Sequence, residues 1–97
     1  MHTIPPKETM AFIADLFKGF ADPTRVHILS LLQERELCVT EIAEAVELSQ
    51  SAISHQLRIL KAYNLVIGRK QGKVVYYTLA DSHVIALLNT GLEHVNE

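Results

Sequence analysis

The chain has 97 residues, 48% of them apolar, with four glycines, three prolines and a formal net charge of −2. That length sets one domain with a modest core, which a partner would help to complete, and the composition excludes a disordered chain. Apolar runs such as Val84–Leu88 fall far short of the roughly 20 residues of a membrane span, and no signal-peptide pattern is seen, so a cytoplasmic protein is expected.

Met1–Lys7, with Pro5 and Pro6 adjacent, reads as an extended arm. Phe12, Ile13, Leu16, Phe17 and Phe20 then recur at helical spacing and predict a first helix from about Glu8 to Phe20. Asp22 followed by Pro23 supplies an N-cap and a first-turn proline, and Val26, Ile28, Leu29, Leu31 and Leu32 make a strongly buried second helix ending near Gln33. The one cysteine, Cys38, can form neither an internal disulfide nor a four-thiolate metal site, which fits a reducing compartment. Val39–Val46 is helical in period, with Ile42, Ala43 and Val46 on one side and Thr40 able to cap its start. A break at Glu47–Ser49 leads into a helix from Gln50 to about Tyr63, with Ser49 as N-cap and Ile53, Leu57 and Leu60 facing inward. These two helices and their tight joint form a helix-turn-helix pattern over 39–63.

Leu65–Lys70 and Lys73–Leu79, rich in Val, Ile and Tyr and separated by Gln71 and Gly72, predict a two-stranded wing over 65–79 with a basic tip. Asp81 can cap a last helix over 81–97 whose apolar face carries Val84, Leu87, Leu88, Gly91, Leu92 and Val95. The expected fold class is therefore α+β: a winged helix-turn-helix of five helices and a two-stranded wing, homodimeric through the last helix.

A negative net charge is unusual for a nucleic-acid binder, but its distribution is polar. From Ser49 to Lys73 lie five cationic side chains (Arg58, Lys61, Arg69, Lys70, Lys73) and no Asp or Glu, whereas Glu34–Glu47 holds five glutamates against Arg35 alone. A recognition helix needs small, hydrogen-bonding residues near its N-terminus so that the backbone approaches the groove and side chains reach base edges. Gln50, Ser51, Ser54, His55 and Arg58 supply that chemistry. The wing tip, Arg69, Lys70, Gln71 and Lys73, would contact phosphates, where charge matters more than sequence. The competing reading is a winged helix used for protein contacts, its serines serving as caps and surface.

Asp81, His83, His94 and Glu97 are donors of the kind that bind zinc. His83 and His94 are eleven residues apart. They lie on nearly the same helix face but ~16 Å apart along the axis, so one chain cannot bring them to one ion. Antiparallel packing of two copies of this helix would bring Asp81 and His83 of one chain to His94 and Glu97 of the other, making two four-ligand sites per dimer. The competing reading leaves these residues as interface structure, with Asp81 only a cap. A hydrolytic zinc enzyme would need an open coordination position, which four protein ligands close, so no enzymatic activity is expected.

Ala21-Asp22-Pro23-Thr24-Arg25, Glu36-Leu37-Cys38-Val39, Leu48-Ser49-Gln50-Ser51-Ala52-Ile53-Ser54-His55-Gln56-Leu57 and Arg69-Lys70-Gln71-Gly72-Lys73-Val74-Val75-Tyr76-Tyr77 resemble the ArsR/SmtB family of metal-responsive transcriptional repressors over almost the whole chain. The resemblance implies a dimeric repressor that holds its operator when metal-free and releases it when metal binds. It places Asp81, His83, His94 and Glu97 at the family's zinc-sensing positions, with Zn(II) the expected ion and Co(II) or Ni(II) the alternatives. The family's thiolate site is matched only at Cys38, since Thr40 stands at its second position and the arm has no cysteine. Cys38, Glu41 and His2 are thus at most a relic of a second site, and soft-metal and dithiol sensing are disfavoured.

Overall fold

The computed structural model of the protein describes residues 3–97, so His2 lies outside the described residues. In chain order the elements are α1 (Lys7–Phe20), α2 (Pro23–Glu34), β1 (Leu37–Cys38), α3 (Val39–Val46), α4 (Gln50–Ala62), β2 (Val66–Gln71), β3 (Val74–Leu79) and α5 (Ser82–Asn96). Among the described residues five helices stand as expected, but the sheet has three strands rather than two, in the order β1-β3-β2 and antiparallel throughout.

The core is one cluster drawn from every layer. Ile28, Leu29 and Leu32 of α2, Ile42 and Ala43 of α3, Ile53, Leu57 and Leu60 of α4, Leu65, Val66 and Leu79 of the sheet region, and Val84 and Leu88 of α5 are buried together. Each helix buries the stripe that its 3.6-residue period sets, and β2 and β3 bury only the ends of the wing. α1 departs from this rule: Leu16 and Phe20 pack on the core, while Phe12, Ile13 and Phe17 of the same stripe stay exposed.

Helix starts are set by side-chain acceptors. Asp22 accepts the Arg25 N–H at 3.1 Å with Pro23 in the first turn, and Ser49 Oγ accepts the Ala52 N–H at 3.1 Å. α3 differs from expectation, because Thr40 lies inside the helix and Cys38 holds the cap position. The Glu41 carboxylate reaches back to accept the Cys38 N–H at 3.0 Å, the reciprocal half of a capping box. That bond, reinforced by the Cys38 side chain, holds the Glu41 carboxyl below the usual carboxylate range.

A sharp reversal and a close approach position α4 and the wing. At the helix-turn-helix joint Glu47 ends α3 in the left-handed conformation (φ 62°, ψ 44°), and this sharp reversal turns the chain into α4. Gly19 of α1 packs so tightly that a Cβ there would stand 2.5 Å from Leu65 Cδ1 and 3.2 Å from Tyr63 Cβ, so α1 ends against the segment that carries α4 into the wing. In the wing, Gln71 pairs with Val74 across the two-residue loop Gly72–Lys73, with Gly72 at φ 64°. Positive φ at the first loop position suits the right-handed twist of the hairpin, and glycine takes it without strain.

Candidate nucleic-acid interface and metal-ligand positions

α4 presents the polar strip that its period sets. Ile53, Leu57 and Leu60 are buried, Gln50, Ser51, His55 and Arg58 are exposed, and Ser54 is half-buried at the edge of the strip. Ser51 Oγ lies 3.2 Å from Ser49 Oγ, so the cap serine also orients one hydroxyl of the strip. Gln56 is drawn the other way, accepting from Arg25 Nη1 at 3.4 Å. The same guanidinium donates to the carbonyls of Lys18 (2.9 Å) and Gly19 (2.9 Å), closing the open C-terminus of α1 against the flank of α4.

The wing tip is less uniformly cationic than its sequence suggests. Among the described residues no carboxylate is within ion-pair distance of Lys70 or Lys73, which are exposed. Arg69 is different. Its Nε donates to Glu36 Oε2 at 3.1 Å, its Nη2 donates to Glu36 Oε1, and its Nη1 donates to Gln71 Oε1 at 3.0 Å. The Arg69 guanidinium holds the Glu36 carboxyl below its ordinary range, and Glu36 in turn raises Arg69. The pair spans 33 residues of sequence, joining the acidic run to the basic one, a contact that no local pattern signals.

The four predicted metal ligands lie at the two ends of α5, all exposed. Asp81 caps the helix: its Oδ1 accepts the N–H of His83 at 2.8 Å and of Val84 at 3.3 Å, which leaves Oδ2 without a role in the cap. His83 Nδ1 stands 3.4 Å from Asp81 Oδ1, so an imidazole and a carboxylate already share one locus. His94 lies in the last turn and Glu97 follows it, so one chain divides the set into two pairs. Among the described residues of one chain, no three His, Cys, Asp or Glu side chains gather around a common point. Two imidazoles and two carboxylates are a donor set that suits zinc or a neighbouring divalent ion.

Beside these ligands α5 carries an open apolar groove of about 410 Å³, lined by Phe20, Val26, Leu87, Leu88, Gly91, Leu92 and Val95. Leu92 is 44% exposed and Val95 79%, so the groove is open to water. α5 packs chiefly on α2 and β3, and Gln33 Nε2 donates to Asn89 Oδ1 at 2.9 Å between α2 and α5. The described residues contain no helix long and apolar enough to cross a membrane.

A helix-turn-helix with its polar strip turned outward, followed by a lysine-tipped hairpin, defines a winged helix-turn-helix domain of the DNA-binding class. The chain belongs to the arsR family of bacterial regulatory proteins, whose model matches residues 22–67. It is 46% identical over 88% of its length to the transcriptional repressor SmtB homolog of Synechocystis, of which it spans 64%. It is 41% identical over 94% of its length to the cadmium resistance transcriptional regulatory protein CadC homolog of Staphylococcus aureus, of which it spans 76%. The homodimeric winged helix-turn-helix DNA-binding domain of a possible ArsR-family regulator from Mycobacterium bovis superposes on all of the chain and 92% of its own, with a TM-score of 0.88 at 28% identity.

Proposed function

We propose that the chain is a homodimeric transcriptional repressor that releases operator DNA when a transition metal, Zn(II) above all, binds between its protomers. The observation that carries this reading is the splitting of the α5 donor set. Asp81 and His83 stand together at one end, His94 and Glu97 at the other, and an exposed apolar groove lies between them. An antiparallel copy of α5 would both cover the groove and complete two four-ligand sites. The homodimeric relative of known structure and the cadmium-resistance regulator among the relatives support a dimer and a metal effector respectively.

In this reading Gln50, Ser51, Ser54, His55 and Arg58 reach base edges in the major groove, while Lys70, Lys73 and the amide of Gln71 meet phosphates. Asp81, His83, His94 and Glu97 hold the ion, which supplies a fixed link between the two α5 helices. Cadmium is disfavoured as effector, because the α5 donors are nitrogen and oxygen and Cys38 is the one thiol of the chain, its capping partner Glu41 already engaged.

The test is anisotropy of a labelled duplex, selected in vitro from a random library, titrated with the protein with and without Zn(II), Co(II), Ni(II) and Cd(II). Zn(II) should weaken binding at least 10-fold, a coupling of about 1.4 kcal/mol, and DNA must weaken zinc uptake by the same factor. His94→Ala should abolish the zinc response and keep metal-free affinity. Equal affinity with and without every metal overturns the regulatory reading, and no salt-dependent binding to any duplex overturns the DNA reading.

A further inference from the structure

We propose that Arg69 is a positioning residue that braces the wing, gripping Glu36 across the ring of Tyr76, and does not serve as one of the wing's phosphate-binding groups. The inference rests on the DNA-binding reading above and concerns what sets the pitch of the wing.

Arg69 of β2 lies directly opposite Tyr76 of β3, and Tyr76 lies opposite Cys38 of β1. The three residues form one row across the sheet, and directly paired residues share a face. Val66 and Leu79, one face of the β2–β3 pair, are buried, so the row of Arg69 and Tyr76 belongs to the outer face. Leu37 of β1 is buried, so Glu36 beside it turns to that same outer face. The Arg69 guanidinium passes 5.5 Å over the Tyr76 ring and meets both carboxylate oxygens of Glu36. One side chain of β2 therefore crosses β3 and holds the residue that leads into β1.

The wing needs such a tie. β1 has two residues, and beyond the buried ends Val66 and Leu79 the hairpin runs out with its strands exposed or half-buried. A forked guanidinium–carboxylate pair fixes direction as well as distance, which a lysine could not do. Its third donor goes to Gln71, next to the turn, so the brace reaches the tip itself. A phosphate approaching Arg69 would meet the Glu36 carboxylate already bound there. The wing charge offered to DNA is then that of Lys70 and Lys73.

The test measures the salt dependence of binding to the selected duplex for the full-length wild type, Lys73→Gln, Arg69→Gln, Glu36→Gln and the swap Glu36→Arg with Arg69→Glu. Removing one phosphate-binding cation should reduce the log–log slope by about 0.9 per protomer, and Lys73→Gln calibrates that step. The brace requires Arg69→Gln and Glu36→Gln to weaken binding alike, 3- to 10-fold, with the wild-type slope kept and the swap recovering most of the loss. Glu36→Gln is the sharpest arm. If Arg69 binds phosphate, removing its competing carboxylate tightens binding, and Arg69→Gln lowers the slope as much as Lys73→Gln does. Either of those results, or unchanged affinity in both single variants, overturns the brace. Loss of salt-dependent binding in the wild type would instead remove the DNA reading beneath it. All five proteins are compared by circular dichroism; Arg69 and Lys73 are exposed, Glu36 is half-buried and none of them belongs to the core, so their exchange leaves it intact.

Discussion

Glu47 carries a backbone cost, and among the described residues its carboxylate makes no ion pair that would offset it. It holds φ 62° at the joint between α3 and α4, where a residue with a Cβ is strained by about 1–2 kcal/mol, against the 0.5–1 kcal/mol of extra chain entropy that glycine would lose on folding. Glu47→Gly should therefore stabilise the protein by about 0.5–1 kcal/mol in urea denaturation, and a loss of stability would show that the joint is held by interactions of the Glu47 side chain. Glu41 makes the opposite case, a residue whose charge is used. Its carboxyl is held low by the Cys38 N–H, so its contribution is present above about pH 4.5 and is lost as pH falls through the lower folded-state value. Glu41→Gln keeps an acceptor for that N–H but does not titrate. Its melting temperature should lie below the wild type's at pH 7, with the gap narrowing by pH 3; a gap that widens in acid would contradict the sign.

Helix ends show where local sequence suffices and where it does not. Asp22, Ser49 and Asp81 cap as their residue types predict, and α3 keeps the bounds that its period sets, because these features depend on neighbours within one turn. Residue type points to Thr40 as the cap of α3, whereas the cap is a cysteine; the readable signal is Glu41 three residues on, the reciprocal partner of a capping box. β1 leaves no signal at all: two residues have no period, and the partner strand is some forty positions away. The Arg69–Glu36 pair is invisible for the same reason, and with it the difference between a cationic residue and a cationic surface. Packing of α1 on the α4 exit is equally hidden, although Gly19 marks it. Gly19→Ala should cost about 1–3 kcal/mol, since Leu65 is fully buried and Tyr63 Cβ belongs to a fixed backbone, and a thermal melt within 2 °C of wild type would show that α1 can slide away.

The exposed groove on α5 and the exposed stripe of α1 are apolar surfaces that one chain cannot cover, and the donor set at the ends of α5 is likewise incomplete in one chain. The proposed dimer answers both the groove and the donor set with one operation, so both should fail together. Leu92→Glu combined with Val95→Glu places charge in the groove but leaves Val84 and Leu88 in their own core, so the protomer should stay folded and sediment as a monomer. Duplex affinity should then fall by about 100-fold or more, because two half-sites are no longer engaged by one molecule. Zinc uptake should fall with it, since Asp81 and His83 would have no partner His94 and Glu97 to complete the coordination. A folded monomer that still took up one tight zinc per chain would place the ligands within one protomer and end the intersubunit reading, whereas a folded dimer would show that the association surface lies elsewhere, with the α1 stripe of Phe12, Ile13 and Phe17 the next face to charge.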